Sequence, residues 1–271
     1  MGGFFLSMNI MRGIIVFCLL LLFTQPVHTE TFTNPPKLVK QTDFGDGLFY
    51  EQYSHPLTGT FHLVRVKLSS MKWRVKPAIN PACIMNAGSV KNLAQASNPN
   101  AACGINASFF DPGNFPVGTV AIDGKIVSLD NRRRSTLGIR SNGIGIISVL
   151  TPKAFITPDD YFEPIWIWGY NHPTRGDSII AYNHNWGSSQ VGIPSDGKGL
   201  VIENEKVAQI VDKGVVTIPR EGFALIFRGK SRYHLERFRI GCNVTLGVTM
   251  PDEWEEVCDM VTGGPRLIDI P

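Results

Sequence analysis

Long apolar runs are scarce in this chain of 271 residues. The one that exists, Gly13 to Phe23, follows Arg12 and ends at the helix-breaking stretch TQPVHTE. It falls short of the roughly 20 apolar residues that a membrane-crossing helix needs. A basic start, a short apolar stretch and small residues near a cut mark a secretory signal instead. Val27 and Thr29 suit cleavage before Glu30, so residues 1–29 are read as a signal peptide and the protein as secreted or periplasmic. An uncleaved N-terminal anchor is the competing reading of the same stretch. With no second run of that length, no membrane partner is expected once the signal is removed.

Other absences narrow the chemistry. The formal charge of +3 is not gathered into a basic tract, which argues against nucleic acid as a partner. There is no Cys-x-x-Cys pair and no Cys/His cluster of the kind a zinc site uses. No ligand-rich loop of the calcium-binding kind occurs, so no metal is assigned and the cofactor stays unknown. Gly-x-Ser-x-Gly, His-Glu-x-x-His and phosphate-loop patterns are missing as well. Losing Cys18 with the signal leaves Cys83, Cys103, Cys242 and Cys258. An even number in an exported chain points to disulfides, with several connectivities open. The sequence-local pairs Cys83–Cys103 and Cys242–Cys258 are favoured because they close the shortest loops.

Helical patterns are scarce too. SVKNLAQASN (Ser89–Asn98) has Ser89 as N-cap and apolar residues at Val90, Leu93 and Ala94, and YHLERF (Tyr233–Phe238) reads as a short helix or a strand. Most of the remainder alternates short β-rich runs with turn residues. GTFHLVRVKL (Gly59–Leu68) has the period of a half-buried strand, and MKWRVKPAIN follows as a second. TVAIDGKIVS is two strands joined by Asp123-Gly124, and STLGIRSNGIGIISV repeats the device with Asn142-Gly143. GLVIENEKVAQIV and GVVTIPREGFALIFRG continue in that style. The reading is a single β-dominated α+β domain over residues 30–271, with antiparallel hairpins in curved mixed sheets and a few short helices.

Chemistry-bearing residues gather in a few places. CGINASFFDPGNFPVGTV places Asn106 after what looks like the end of a buried strand, where an amide needs partners. A loop cap through its own backbone and a glycosylation acceptor in Asn106-Ala107-Ser108 are the plainer readings. Asp111 follows Phe109-Phe110 and precedes Pro112-Gly113, so a turn would hold it near Asn106, and an aromatic wall would tune its pKa. A plain turn aspartate accounts for the same spacing. DNRRRSTLGI sets Arg132, Arg133 and Arg134 before a strand, where a guanidinium fork suits phosphate. VTGGPRLI offers Gly263-Gly264 as an anion nest, with Arg266 beside it. GYNHPTRGDSIIAYNHNWG carries Asn171, His172, Arg175, Asp177 and His184 among Trp166, Trp168 and Trp186, a mixture suited to sugar faces. Its two histidines are weighted toward structural roles.

In their order, INASFFDPGNFPVGTVAIDGKIVS, RRRSTLGI and GGPRLI resemble the phosphodiester glycosidase family, the family of the lysosomal uncovering enzyme. That family's pattern is a strand ending Asn-Gly-Gly-Phe-Phe, a Pro-Gly turn, an Asp-Gly-Lys hairpin, an Arg-bearing strand and a Gly-Gly-Pro-x-Leu turn. The likeness spans about Cys83 to Ile268. It departs at Ala107-Ser108, which replace two glycines. It also shows no Asp-Gly-Gly-Gly-Ser-like turn after Gly-Gly-Pro. The resemblance implies hydrolysis of a glycosyl phosphodiester in a glycan or envelope polymer, with Asp111, Asn106 and Arg134 catalytic. Gly263, Gly264, Arg266 and Arg175 would bind substrate. The alternative is a non-catalytic envelope protein that binds glycan or anionic polymer. The oligomeric state stays open.

Overall fold

The computed structural model describes residues 35–70, 72–130 and 132–263; the signal segment, Gly264 and Arg266 lie outside them. The chain divides into two compact units, Met1–Val66 and Lys67–Pro271, where the sequence reading expects one domain. Strands dominate both, in antiparallel and mixed sheets.

The first unit is an antiparallel sheet in the order β1 (Lys37–Asp43), β2 (Leu48–His55), β3 (Gly59–Val66). Glu51 is its polar centre, accepting hydrogen bonds from Gln41, Tyr53 and Arg65. β3 forms as expected but is exposed along nearly its whole length, not half-buried as its alternation suggested.

The second unit begins with irregular chain. The expected second strand in MKWRVKPAIN does not form over its described residues: Lys72–Asn80 run as irregular chain. Pro77 lacks the N–H a ladder needs, and Lys76 is tied to Asp123 by an ion pair instead. The helix α1 (Val90–Ser97) does form, and the Ser89 hydroxyl accepts from the Asn92 N–H at 3.2 Å, as an N-cap should. Further on come β4 (Val120–Ile122), β5 (Lys125–Asp130), β6 (Arg134–Arg140), β7 (Gly145–Leu150), β8 (Lys153–Pro158), β9 (Ile165–Ile167), β10 (Gly169–Tyr170) and β11 (Ser178–Tyr182). They are followed by β12 (Gln190–Gly192), β13 (Gly197–Glu203), β14 (Lys206–Val211), β15 (Val215–Thr217), β16 (Gly222–Arg228), β17 (Val244–Thr249) and β18 (Val257–Thr262). Tyr233–Phe238 falls mostly in a 3₁₀ segment, Gly229–Arg237.

Ten strands make one sheet, ordered β14-β13-β16-β11-β10-β5-β4-β18-β6-β7. Its neighbours are antiparallel apart from β10 and β11, which run parallel. Both predicted hairpins are present, with Asp123, Gly124 and Gly143 at positive φ. At β11, β13 and β16 the sheet is covered on two faces, and the sequence shows why. β11 and β16 are apolar along most of their length and β13 carries the continuous run Leu200-Val201-Ile202, as strands buried on both sides require. Ile179, Leu200, Ile202, Leu225 and Phe227 pack with Ala154, Ile156, Ile165, Ile167 and Val244 of a second sheet, β17-β8-β9. The intervening Ile180, Val201, Ala224 and Ile226 face Val191 and Val216 of the short pair β12-β15. Each fully buried Leu, Ile or Phe contributes about 1.5–3 kcal/mol, so this three-layered centre is the rigid support for what lies at its edge.

Candidate active site

The ends of β5 and β10 lie side by side, with Asp130 paired to Gly169. Just past Tyr170 the chain turns back on itself. Asn171 takes the left-handed conformation (φ 47°), and His172 returns so closely over Gly169 that a Cβ there would collide with the His172 carbonyl. This reversal delivers the buried His172 ring to the buried Asp130. It is held by an amide network in which Asn171 Nδ2 donates to the Val127 carbonyl (2.9 Å) and to Asn183 Oδ1 (2.6 Å). Asn171 Oδ1 accepts the Asn183 N–H, and Asn183 Nδ2 donates to Tyr170 Oη. A buried amide is tolerated only when so satisfied.

Asp111 arrives from a different direction, at the base of a tight hairpin. Its N–H donates to the Phe115 carbonyl (3.0 Å), and the Asn114 N–H donates to its carbonyl (2.7 Å). Asn114 is left-handed (φ 62°), which completes a type I turn with a bulge. Gly113 leaves room for the Phe115 ring, since a Cβ would strike it. That ring stands edge-on to His172 (5.8 Å) and stacks on Trp186 (5.3 Å). The Cys83 thiol donates to the Trp186 carbonyl, fixing the far end of the array.

Arg132 joins these pieces. Its Nη2 donates to Asp111 Oδ2 and its Nε to Asp130 Oδ2, each at 2.8 Å. Asp130 is positioned in turn by the N–H groups of Gly118 and Arg132. His172 Nε2 lies 3.2 Å from both Arg132 Nη2 and Asp111 Oδ2, and 4.0 Å from Asp130 Oδ2. The positive charge held among these three groups is the guanidinium. Among the described residues, no three His, Cys, Asp or Glu side chains are placed to hold a metal ion.

The electrostatics follow from this packing. The Arg132 hydrogen bond holds the Asp111 carboxyl below its ordinary range, helped by the charges of Arg132, His172 and Arg134 against the effect of burial. Burial lowers His172, opposed mainly by Asp130 and Asp111. The resting state is therefore an ionised Asp111 beside a neutral imidazole. A neutral ring with its proton on Nδ1 accepts from Arg132 through Nε2; a protonated ring donates from Nε2 to Asp111. Arg134, at the start of β6, acts on Asp111 through its charge, yet its buried Nε has no hydrogen-bond partner among the described residues.

The expected site residues are thus only partly gathered. Asp111 and Arg134 are in the cluster. Asn106 is exposed, in irregular chain that follows no strand, and makes no hydrogen bond among the described residues; the expected buried strand end is absent because Ile105 beside it is itself exposed. Gly263 donates to the Ser135 carbonyl and lies against Ala107. Arg175 sits exposed on the turn between β10 and β11. The four cysteines are all free. Neither expected pair is present: the Cys83 thiol is turned to Trp186 and the Cys258 thiol to the Ile139 carbonyl. Arg132, Asp130 and His172 are the residues that sequence reasoning passed over or underweighted.

No protein-family profile matches the sequence, and no curated protein matches it. Solved structures do. A hypothetical protein from Synechocystis superposes with a TM-score of 0.73 at 20% identity, over 87% of this chain and 45% of its own. A "Putative exported protein" from Burkholderia pseudomallei superposes with a TM-score of 0.53 at 19% identity, over 69% of this chain and 46% of its own. The chain thus spans about half the length of these structures, and at such identities the likeness is one of fold. No helix among the described residues is long and apolar enough to cross a membrane.

Proposed function

We propose that the protein is an exported hydrolase that cleaves a glycosyl phosphodiester. The observation that carries this reading is the Asp111–Arg132–His172 constellation with Arg134 beside it. Two arginines, one of them without a hydrogen-bond partner at its buried Nε, are suited to a phosphodiester, because guanidinium forks match phosphate oxygens. In the reaction, water adds to the anomeric carbon as its bond to the phosphate oxygen breaks; a sugar hemiacetal and a phosphate monoester leave. Arg134 and Arg132 offset the charge that gathers on the departing phosphate. The ionised Asp111 stabilises positive charge at the anomeric carbon; as Arg132 turns its Nη2 to the phosphate, the His172 Nε2 lone pair that accepts from it at rest is released to take the proton from water. The family resemblance of INASFFDPG, RRRSTLGI and GGPRLI supports the same chemistry and a single α+β domain of that type. The N-terminal signal pattern, and one structural neighbour described as exported, support the location.

The test is release of reducing sugar from p-nitrophenyl diesters of sugar 1-phosphates by the intact chain. Asp111→Ala and Arg134→Ala are each expected to lower the rate by about 100-fold or more. No turnover with glucosyl, mannosyl and N-acetylglucosaminyl diesters would sink the hydrolase reading. Saturable binding of those diesters without turnover, surviving Asp111→Ala, would favour the non-catalytic binder.

A further inference from the structure

A second surface of the same unit is built like a binding platform. In the sheet β17-β8-β9, alternate residues point opposite ways. Ala154, Ile156, Ile165 and Ile167 point inward and are at most 2% exposed. The outward face carries Thr157, Thr245 and Thr249 and, grouped at one end, Lys153, Phe155, Trp166 and, one step past β9, Trp168. The two tryptophans are 45% and 50% exposed, a large apolar area to leave in water on a face that could have been polar.

Register explains how the rings are held. Gly247 of β17 pairs with Phe155 of β8, which pairs with Trp166 of β9. A Cβ on Gly247 would collide with the Phe155 ring, so glycine is what lets that ring lie flat across β17. Phe155 then braces Trp166 edge-on, with centroids 5.7 Å apart. Ala154 pairs with Ile167, and one further step of that register sets Lys153 beside Trp168. The Lys153 ammonium stands 5.7 Å from the Trp166 ring centre, within cation–π range. Thr151, Lys153, Trp166, Ile167 and Trp168 enclose a shallow cleft of about 330 Å³, at the low end of the range for small-ligand sites.

We infer that this face binds an acidic glycan: pyranose rings stack on Trp166 and Trp168, and Lys153 pairs with the carboxylate of a sugar unit. Flat, braced aromatic rings with little polar lining suit the apolar face of a sugar, and the single cation selects a charged unit over a neutral one. A concave cleft braced by a sheet favours a discrete ring over a lipid surface. The inference does not depend on turnover, so it stands or falls separately from the hydrolase reading.

The experiment is calorimetric titration of the full chain with trigalacturonate and with maltotriose at one ionic strength, alongside sedimentation with phosphatidylserine-containing vesicles. Trigalacturonate should bind saturably and more tightly than maltotriose. Trp166→Ala and Trp168→Ala should each weaken it by about tenfold or more, equivalent to about 1.4 kcal/mol. Lys153→Gln should remove most of the preference for the charged sugar. Trp168→Leu, which keeps apolar bulk without a flat ring, serves if an alanine variant fails to fold. Absence of saturable sugar binding, or affinity unchanged in these variants, overturns the inference; so does vesicle binding that depends on both tryptophans without sugar binding.

Discussion

The carbonyl of His172 occupies the space that a side chain on Gly169 would need. That relationship turns a two-residue strand into a device for placing an imidazole, because the same reversal sets His172 next to Asp130, the register partner of Gly169. Gly169→Ala would force backbone apart from backbone, which no rotamer change can relieve. The expected loss is about 1–3 kcal/mol, typical of overpacking, measured by urea unfolding. If the hydrolase reading holds, activity should fall further than the residual stability accounts for.

The amide pair beneath the reversal should be at least as sensitive. Asn171→Ala strands the Val127 carbonyl and the Asn183 amide in a buried setting, and each unsatisfied buried group costs about 1–3 kcal/mol. It also puts alanine at φ 47°, where asparagine is favoured. Asn171→Gly restores the backbone but not the hydrogen bonds. Unfolding curves of the two variants separate the contributions: glycine should recover only part of the loss.

Much of the fold can be read in the sequence, for reasons that name themselves. Asp123-Gly124 and Asn142-Gly143 announce hairpins because the turns need positive φ, which Gly124 and Gly143 supply and, in the first turn, Asp123 as well. Ser89 announces a helix start because its hydroxyl can serve the Asn92 N–H. The site is less legible, since its parts meet only through tertiary geometry. The run Arg132–Arg134 reads as one charged stretch before a strand, but β6 begins at Arg134. Arg132 lies ahead of it, free to bridge Asp111 and Asp130. His172 reaches the cluster by a backbone reversal that no periodicity encodes. Cys83 meets Trp186, 103 residues away, so loop length was a poor guide to its partner. MKWRVKPAIN has strand composition, yet Lys72–Asn80 run as irregular chain, with Pro77 lacking an N–H for a ladder.

Arg132 and Arg134 should respond differently to the same substitution. A lysine at position 132 has no planar fork and cannot reproduce the Nη2 bond to Asp111 together with the Nε bond to Asp130. Arg132→Lys should therefore disturb the resting site, seen as a shifted His172 ring resonance and lower stability. Arg134→Lys removes no hydrogen bond formed by that side chain among the described residues. It should leave the unliganded site unchanged while weakening binding of a phosphodiester.

The titration of His172 tests the electrostatics directly. Burial holds its folded pKa below the ordinary histidine value of about 6.5, so between those two values the unfolded chain binds the extra proton. Stability contributed by the neutral ring is present above the ordinary value and is lost as pH falls toward the folded pKa. Asp111, also lowered, adds a second loss at more acid pH, as pH falls through its folded value. In NMR titrations His172 should therefore titrate below an exposed histidine. Asp130→Asn should lower it further, because the Asp130 charge raises it. Arg132→Gln should raise it, because the Arg132 charge lowers it. A His172 that titrated at the ordinary value in the intact chain, or moved the other way in both variants, would contradict the charge arrangement on which the catalytic roles rest.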